Sequence, residues 1–191
     1  MATTKAAEKE RLREEKRRAA YEKEELRIDE IRKFEEMYSD YNLICGIDEV
    51  GRGPLAGPVM AGAVILPKGC RIHDINDSKK LTEKKREMLY DIIMREAVAV
   101  GIGVVGPERI DEINILQATY EAMRAAIKNL GVVPDILLND AVTIPGVDIK
   151  QVPIVKGDAK SITIGAASIP RATKIITKDK TTENGRCLNV I

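Results

Sequence analysis

Leu43-Ile44-Cys45-Gly46-Ile47-Asp48-Glu49-Val50-Gly51-Arg52-Gly53-Pro54 is the stretch on which the organisation of this chain turns. The apolar, β-prone run Leu43 to Ile47 reads as a strand, and it delivers two adjacent carboxylates, Asp48 and Glu49, at its end. Gly51 to Pro58 then reads as a glycine- and proline-rich connection, and Val59 to Leu66 as a second strand closed by Pro67. Adjacent strand residues point to opposite faces, so Asp48 and Glu49 serve one site only if the strand twists or ends there. Sites in α/β sheets tend to lie at such strand ends.

Downstream, Leu81 to Glu96 reads as a helix, with Leu81, Met88, Leu89, Ile92 and Ile93 among its apolar positions. Ala97 to Val105 looks like a buried strand. Pro107 to Leu130 carries Ile110, Ile113, Leu116, Ala118, Met123 and Ile127 at helical spacing and stops at Gly131. Ile136 to Leu138 is a short strand leading into Asn139 and Asp140. Two adjacent strands, followed by strands separated by helices, predict an α/β fold with a mixed sheet flanked by helices. This core is expected to span 41–169.

Upstream, residues 1–40 are dominated by Glu, Lys and Arg and contain no Gly or Pro, a composition that favours helix. Its first half is nearly free of large apolar residues and reads as a solvated, charged helical extension. Ile31, Phe34 and Tyr38 recur at helical spacing and are placed to dock one face on the body. A coiled-coil or partner-binding arm is the other reading, but no sustained heptad supports it. Residues 170–191 form an atypical tail: basic, Thr-rich and without apolar periodicity.

Composition narrows the class. Of 191 residues 44% are apolar, enough for a packed core, and with no Trp, one Phe and five Tyr that core must be aliphatic. A net charge of +1 leaves any nucleic-acid binding to local patches. Cys45, Cys70 and Cys187 lie far apart without metal-ligand spacing, which points to plain thiols in a reducing cytoplasm. No apolar run in the first 40 residues resembles a signal peptide or anchor, and no stretch is long enough to cross a bilayer, so no membrane partner is expected.

Asp140 and Asp158 have settings comparable to that of Asp48 and Glu49: one closes the run Asp135-Ile136-Leu137-Leu138-Asn139-Asp140, the other lies in Val155-Lys156-Gly157-Asp158. Four carboxylates brought together repel one another unless a cation neutralises them. Oxygen donors of this kind favour Mg²⁺ or Mn²⁺, and two such ions about 4 Å apart are a recurring device for phosphodiester cleavage. With 30 acids in the chain, several end strands by chance, so spacing alone leaves this open. Gly51-Arg52-Gly53 suits a phosphate or close backbone approach, but equally a tight turn. No Gly-Lys-Ser/Thr follows it, which disfavours a nucleotide triphosphatase. In Asp77-Ser78-Lys79-Lys80-Leu81-Thr82-Glu83, Ser78 or Thr82 is placed to cap a helix and the lysines to meet phosphate; a solvated helix entrance is the plainer reading. His73, the one histidine, has no Ser or Cys partner pattern, so triad chemistry lacks support.

Together, Gly46 to Val59, Asp77 to Leu81, Ile113 to Thr119, Lys156 to Ser161 and Ala166 to Ile169 resemble type 2 ribonuclease H of bacteria, in order and over about Tyr41 to Ile169. The resemblance implies a ribonuclease H-like mixed sheet with a four-acid site formed by Asp48, Glu49, Asp140 and Asp158. In the family these hold two Mg²⁺ or Mn²⁺ ions. Hydrolysis on the 5′ side of a ribonucleotide leaves 5′-phosphate and 3′-hydroxyl ends. By the same resemblance Gly51, Arg52 and Gly53 read the 2′-hydroxyl; Lys79 joins the substrate-binding set as a candidate phosphate contact. Implied partners are RNA–DNA hybrids and duplex DNA carrying ribonucleotides, with excision of misincorporated ribonucleotides as the role and a cytoplasmic monomer as the form.

Two departures stand out. The family reads Asp-Gly after the third acid, whereas here Ala141 follows Asp140. From Pro170 the family's helix and its later substrate-stacking tyrosine have no counterpart, and no tyrosine follows Tyr120. The expectation is that a frame shift or premature end has replaced the C-terminal region. Three readings follow: an active nuclease, a catalytically impaired truncated copy, or a non-enzymatic interaction protein working through its N-terminal helix.

Overall fold

The computed structural model describes residues 2–50 and 57–170, with side chains from residue 7 onward. Gly51, Arg52, Gly53, Cys187 and the tail beyond Pro170 lie outside the described residues. The strand expected at Leu43 to Ile47 is β1 (Ile44–Glu49), and it runs through the middle of a five-stranded sheet. β2 (Val59–Ile65) and β3 (Ala99–Val105) lie on one side of it, antiparallel; β4 (Ile136–Asp140) and β5 (Lys150–Ile154) lie on the other, parallel. The order is β3-β2-β1-β4-β5. The expected mixed α/β arrangement is therefore present.

β1 carries no polar alternation because both of its faces are covered. Cys45 and Ile47 join Ala61, Ala63 and Leu137 beneath α4 (Pro107–Lys128). Ile44 turns to the other face with Ile136, Leu138 and Ile164, the last from α5 (Ile162–Ala167). Glycines set how close the helices come. A Cβ on Gly103 would lie 1.9 Å from the Ala122 carbonyl oxygen of α4, and one on Gly46 would lie 2.1 Å from the Thr163 carbonyl carbon of α5. α3 (Glu83–Glu96) buries Leu89, Tyr90 and Ile93, with Thr82 capping it by accepting the Lys85 N–H. Met88, expected on the apolar face, is 47% exposed. It lies one position, about 100°, off the Leu89–Ile93 stripe.

The sequence pattern of α4 misses a break. Asn114 has φ 68° and ψ 163°, and its Oδ1 accepts the N–H groups of Leu116 (3.0 Å) and Gln117 (3.1 Å). Asn tolerates positive φ, and its side chain starts a fresh helical segment as a cap. Leu116, read from the sequence as one of the apolar positions of this helix, is 43% exposed. β5 was not legible either. It is an edge strand in which only Ile154 is buried, and Pro153 suits such an edge. The loop ahead of it is held by Gln151, which accepts from Asn139 Nδ2 and Ile144 N–H and donates to Ile144 O.

The N-terminal segment is helical, as its composition predicts: α1 (Ala2–Ile31) and α2 (Lys33–Met37). Residues 7–23 are exposed, but Ile28 is fully buried and Ile31 nearly so. Arg71 pairs with Glu25 (2.6 Å) and Asp29 (2.7 Å), and His73 Nε2 lies 2.7 Å from Glu25. Phe34 and Tyr38 pack on the Ile44–Ile164 cluster, the docking their spacing predicts. Among the described residues no helix is long and apolar enough to cross a membrane. Cys45 and Cys70 are free thiols, and burial pushes both upward from the ordinary thiol range.

Candidate active site

Three of the four proposed acids come to one face of the sheet by register. In β1, Gly46 faces α5, so Asp48, two residues on, faces the same way. β1 and β4 pair in parallel through Ile47↔Asn139, and one further step brings Asp48 beside Asp140. Asp158 arrives from a single 3-10 turn (Gly157–Ala159) just before α5. Asp140 Oδ1 accepts the Gly157 N–H at 2.7 Å, which ties the end of β4 to that turn. A Cβ on Gly157 would meet Ile164 Cδ1, the end of a flexible side chain, at 2.6 Å and Asp140 Cα at 3.4 Å, so a larger residue here would have to push Ile164 aside. Glu49 ends β1, half-buried and paired in register with Ala61 of β2.

The electrostatics mark this cluster. Asp48 is 6% exposed, and burial pushes its carboxyl up to about 8, reinforced by the negative charges of Asp140, Asp158 and Glu49. The Glu49 N–H donates to it and opposes the shift. Asp158 is also raised, by burial first and then by Asp77 and Asp140, against the pull of the Ala159 N–H and the Lys79 charge. The acids expected from the sequence therefore act on one another here. Lys79, expected to bind substrate, is exposed in the 3-10 turn Ser78–Lys80 and within electrostatic reach of Asp158.

Asp77 is a neighbour that sequence reasoning missed. Its side chain accepts the Lys79 N–H at 3.0 Å and faces Asp158 in charge. The signal was the same Asp77-Ser78-Lys79 string, which periodicity reads only as a helix entrance. Ala141 occupies a left-handed conformation, φ 57°, just after Asp140. Its N–H still donates to Ile154 O at 3.0 Å, so the turn forms with alanine in place of glycine.

A hard divalent cation fits this group by donor chemistry: carboxylate oxygens of like charge, one of them buried and forced towards its neutral form. Among the described residues, no three acidic, histidine or cysteine side chains already converge as a finished metal cage.

Known proteins resemble this chain in sequence and in fold. A family model described as Ribonuclease HII matches residues 45–185. The Ribonuclease HII of Lachnoclostridium phytofermentans is 68% identical over 152 residues, 78% of this chain and 60% of that protein. That of Bacillus subtilis is 58% identical over 135 residues, 70% of this chain and 52% of that one. The chain thus spans little more than half the length of these curated relatives. The crystal structure of the ribonuclease H2 from Pyrococcus horikoshii OT3 superposes with a TM-score of 0.56 at 26% identity, over 66% of this chain and 69% of that one. Bst-RNase HIII in complex with Mn²⁺ is similar in fold, with a TM-score of 0.51 at 18% identity, over 66% of this chain and 49% of that one.

Proposed function

The chain belongs to the ribonuclease HII family, and on that footing we propose that it is a divalent-metal-dependent endonuclease. Its substrates are RNA–DNA hybrids and duplex DNA carrying embedded ribonucleotides, and its products bear 5′-phosphate and 3′-hydroxyl ends. The observation that carries this reading is the burial of Asp48 among the like charges of Asp140, Asp158 and Glu49. Such a cluster is costly without a cation and ordered with one.

Asp48, Glu49, Asp140 and Asp158 would hold the Mg²⁺ or Mn²⁺. When bound, the metal supplies charge neutralisation and Lewis-acid activation for attack on a phosphodiester. On this reading the protein's part is to bring the acids into one neighbourhood: β1 and β4 carry Asp48 and Asp140 side by side, and the Gly157 turn carries Asp158 next to them. Lys79, exposed beside this group, is suited to a substrate phosphate. Gly51, Arg52 and Gly53 are assigned the 2′-hydroxyl, the group that separates RNA from DNA. We assign the protein to the cytoplasm as a monomer, removing ribonucleotides from DNA.

The deciding experiment is a nicking assay on duplex DNA with one ribonucleotide, in Mg²⁺ or Mn²⁺, with Asp48→Asn as control. Cleavage 5′ to the ribonucleotide that disappears in the control is the expected result. No cleavage by a demonstrably folded chain would reject the activity for this protein.

A further inference from the structure

One side chain of the N-terminal segment reaches the turn that carries Asp158. Glu35, in α2, accepts three hydrogen bonds at Oε1: from Ser161 Oγ (2.5 Å), Thr163 Oγ1 (2.7 Å) and Thr163 N–H (3.1 Å). Ser161 and Thr163 are both buried, so their hydroxyls depend on an acceptor supplied from within the protein. Ser161 is also the cap of α5, its Oγ accepting the Ile164 N–H at 3.2 Å.

From Ser161 the connection continues into the candidate site. The Ser161 N–H donates to Gly157 O at 2.8 Å, and the Gly157 N–H donates to Asp140 Oδ1 at 2.7 Å. Asp158 sits inside this closed turn. Glu35 therefore ends a chain of hydrogen bonds that starts at one proposed acid and encloses another. The second oxygen, Oε2, is buried and has no hydrogen-bond partner among the described residues. A carboxylate drawn in at that cost is not an incidental surface contact. Phe34 and Tyr38, packed on Ile44 and Ile164, fix α2 in register with the turn.

We propose that Glu35 is a positioning residue: through Ser161 and Thr163 it holds the Gly157–Ser161 turn, and with it the setting of Asp158 against Asp140. The assignment rests on reading these acids as the catalytic set. It makes the N-terminal segment part of the enzyme's working core, although the segment supplies none of the proposed acids.

The test uses the full 191-residue chain as wild type, Glu35→Ala and Glu35→Gln. Amide exchange is followed without metal, Mn²⁺ affinity is measured by titration, and kcat and KM are measured on the single-ribonucleotide duplex. In Glu35→Ala the Gly157 and Ser161 amides should exchange faster while those of β2 and β3 do not change. Mn²⁺ affinity and kcat should each fall roughly tenfold with KM for the duplex unmoved, the scale of losing a residue that orients metal ligands. Glu35→Gln keeps an oxygen for the same three donors and should restore most of the loss. Should Glu35→Ala fail to fold, Thr163→Val removes one of the three bonds and should show the same local exchange in weaker form. Unchanged exchange, or a uniform rise across the whole sheet, overturns the proposal. Absence of cleavage by the wild type would sink only the nuclease reading; the exchange and Mn²⁺ measurements would still decide the role of Glu35.

Discussion

Asp140 Oδ1 accepts the Gly157 N–H at 2.7 Å, so the last residue of β4 is at once a member of the acidic cluster and the anchor of the turn that brings in Asp158. Charge and geometry meet in one carboxylate. Asp140→Asn separates them, because an amide oxygen accepts the same bond. The variant should fold, with a Tm in chelator equal to or above wild type, since one source of repulsion on Asp48 has gone. Its Mn²⁺ affinity should fall by at least about tenfold. Thermal melts with and without Mn²⁺ check both halves; a variant unfolded in chelator would contradict the first.

Stability without metal should depend on pH through Asp48. Its carboxyl is raised from 3.8 to about 8, chiefly by burial. Between those values the folded chain holds a proton that the unfolded chain has released. Stability therefore falls as pH rises through this window, by at most about 1.4 kcal/mol per pH unit. Asp158, raised for similar reasons, acts in the same sense. Urea denaturation in chelator at pH 5.5 and pH 8 should find the wild type weaker at pH 8 and Asp48→Asn losing less, with only the part that Asp158 contributes. A wild type that gains stability over that range would refute the assignment.

Ala141→Gly should stabilise the protein. Ala141 is exposed and holds φ 57°, a conformation that costs an L-residue about 1–2 kcal/mol. Glycine removes that strain but gives back about 0.4–1 kcal/mol through its freer unfolded chain. The net gain expected is about 0.5–1 kcal/mol, read as a higher urea midpoint with an unchanged slope. A loss of stability would show that the turn does not strain the alanine.

Deletions should divide the N-terminal segment into two parts. Removing residues 2–18 takes away helix that is exposed from residue 7 on and should leave the melting temperature nearly unchanged. Removing residues 2–40 also takes Ile28, Ile31, Phe34 and Glu35. Each buried aliphatic lost costs about 2–5 kcal/mol, so the longer deletion should not fold stably. Circular dichroism melts of the two truncated chains distinguish these outcomes.

Local chemistry in the sequence determined most of the elements. The β-prone run at Ile44, the valines and isoleucine of β3 and the charged composition of α1 each favour a backbone state without help from distant residues. The four proposed acids were legible because an ordered set of motifs carries them. Tertiary structure decided the rest. β5 is polar on its exposed side and becomes a strand only by pairing with β4. Asp77 becomes a neighbour of Asp158, and Glu35 a partner of Ser161 and Thr163, only when segments far apart in the chain are folded together. Periodicity and propensity act over a few residues, whereas a carboxylate's charge state and a buried hydroxyl's acceptor depend on whatever the fold places beside them.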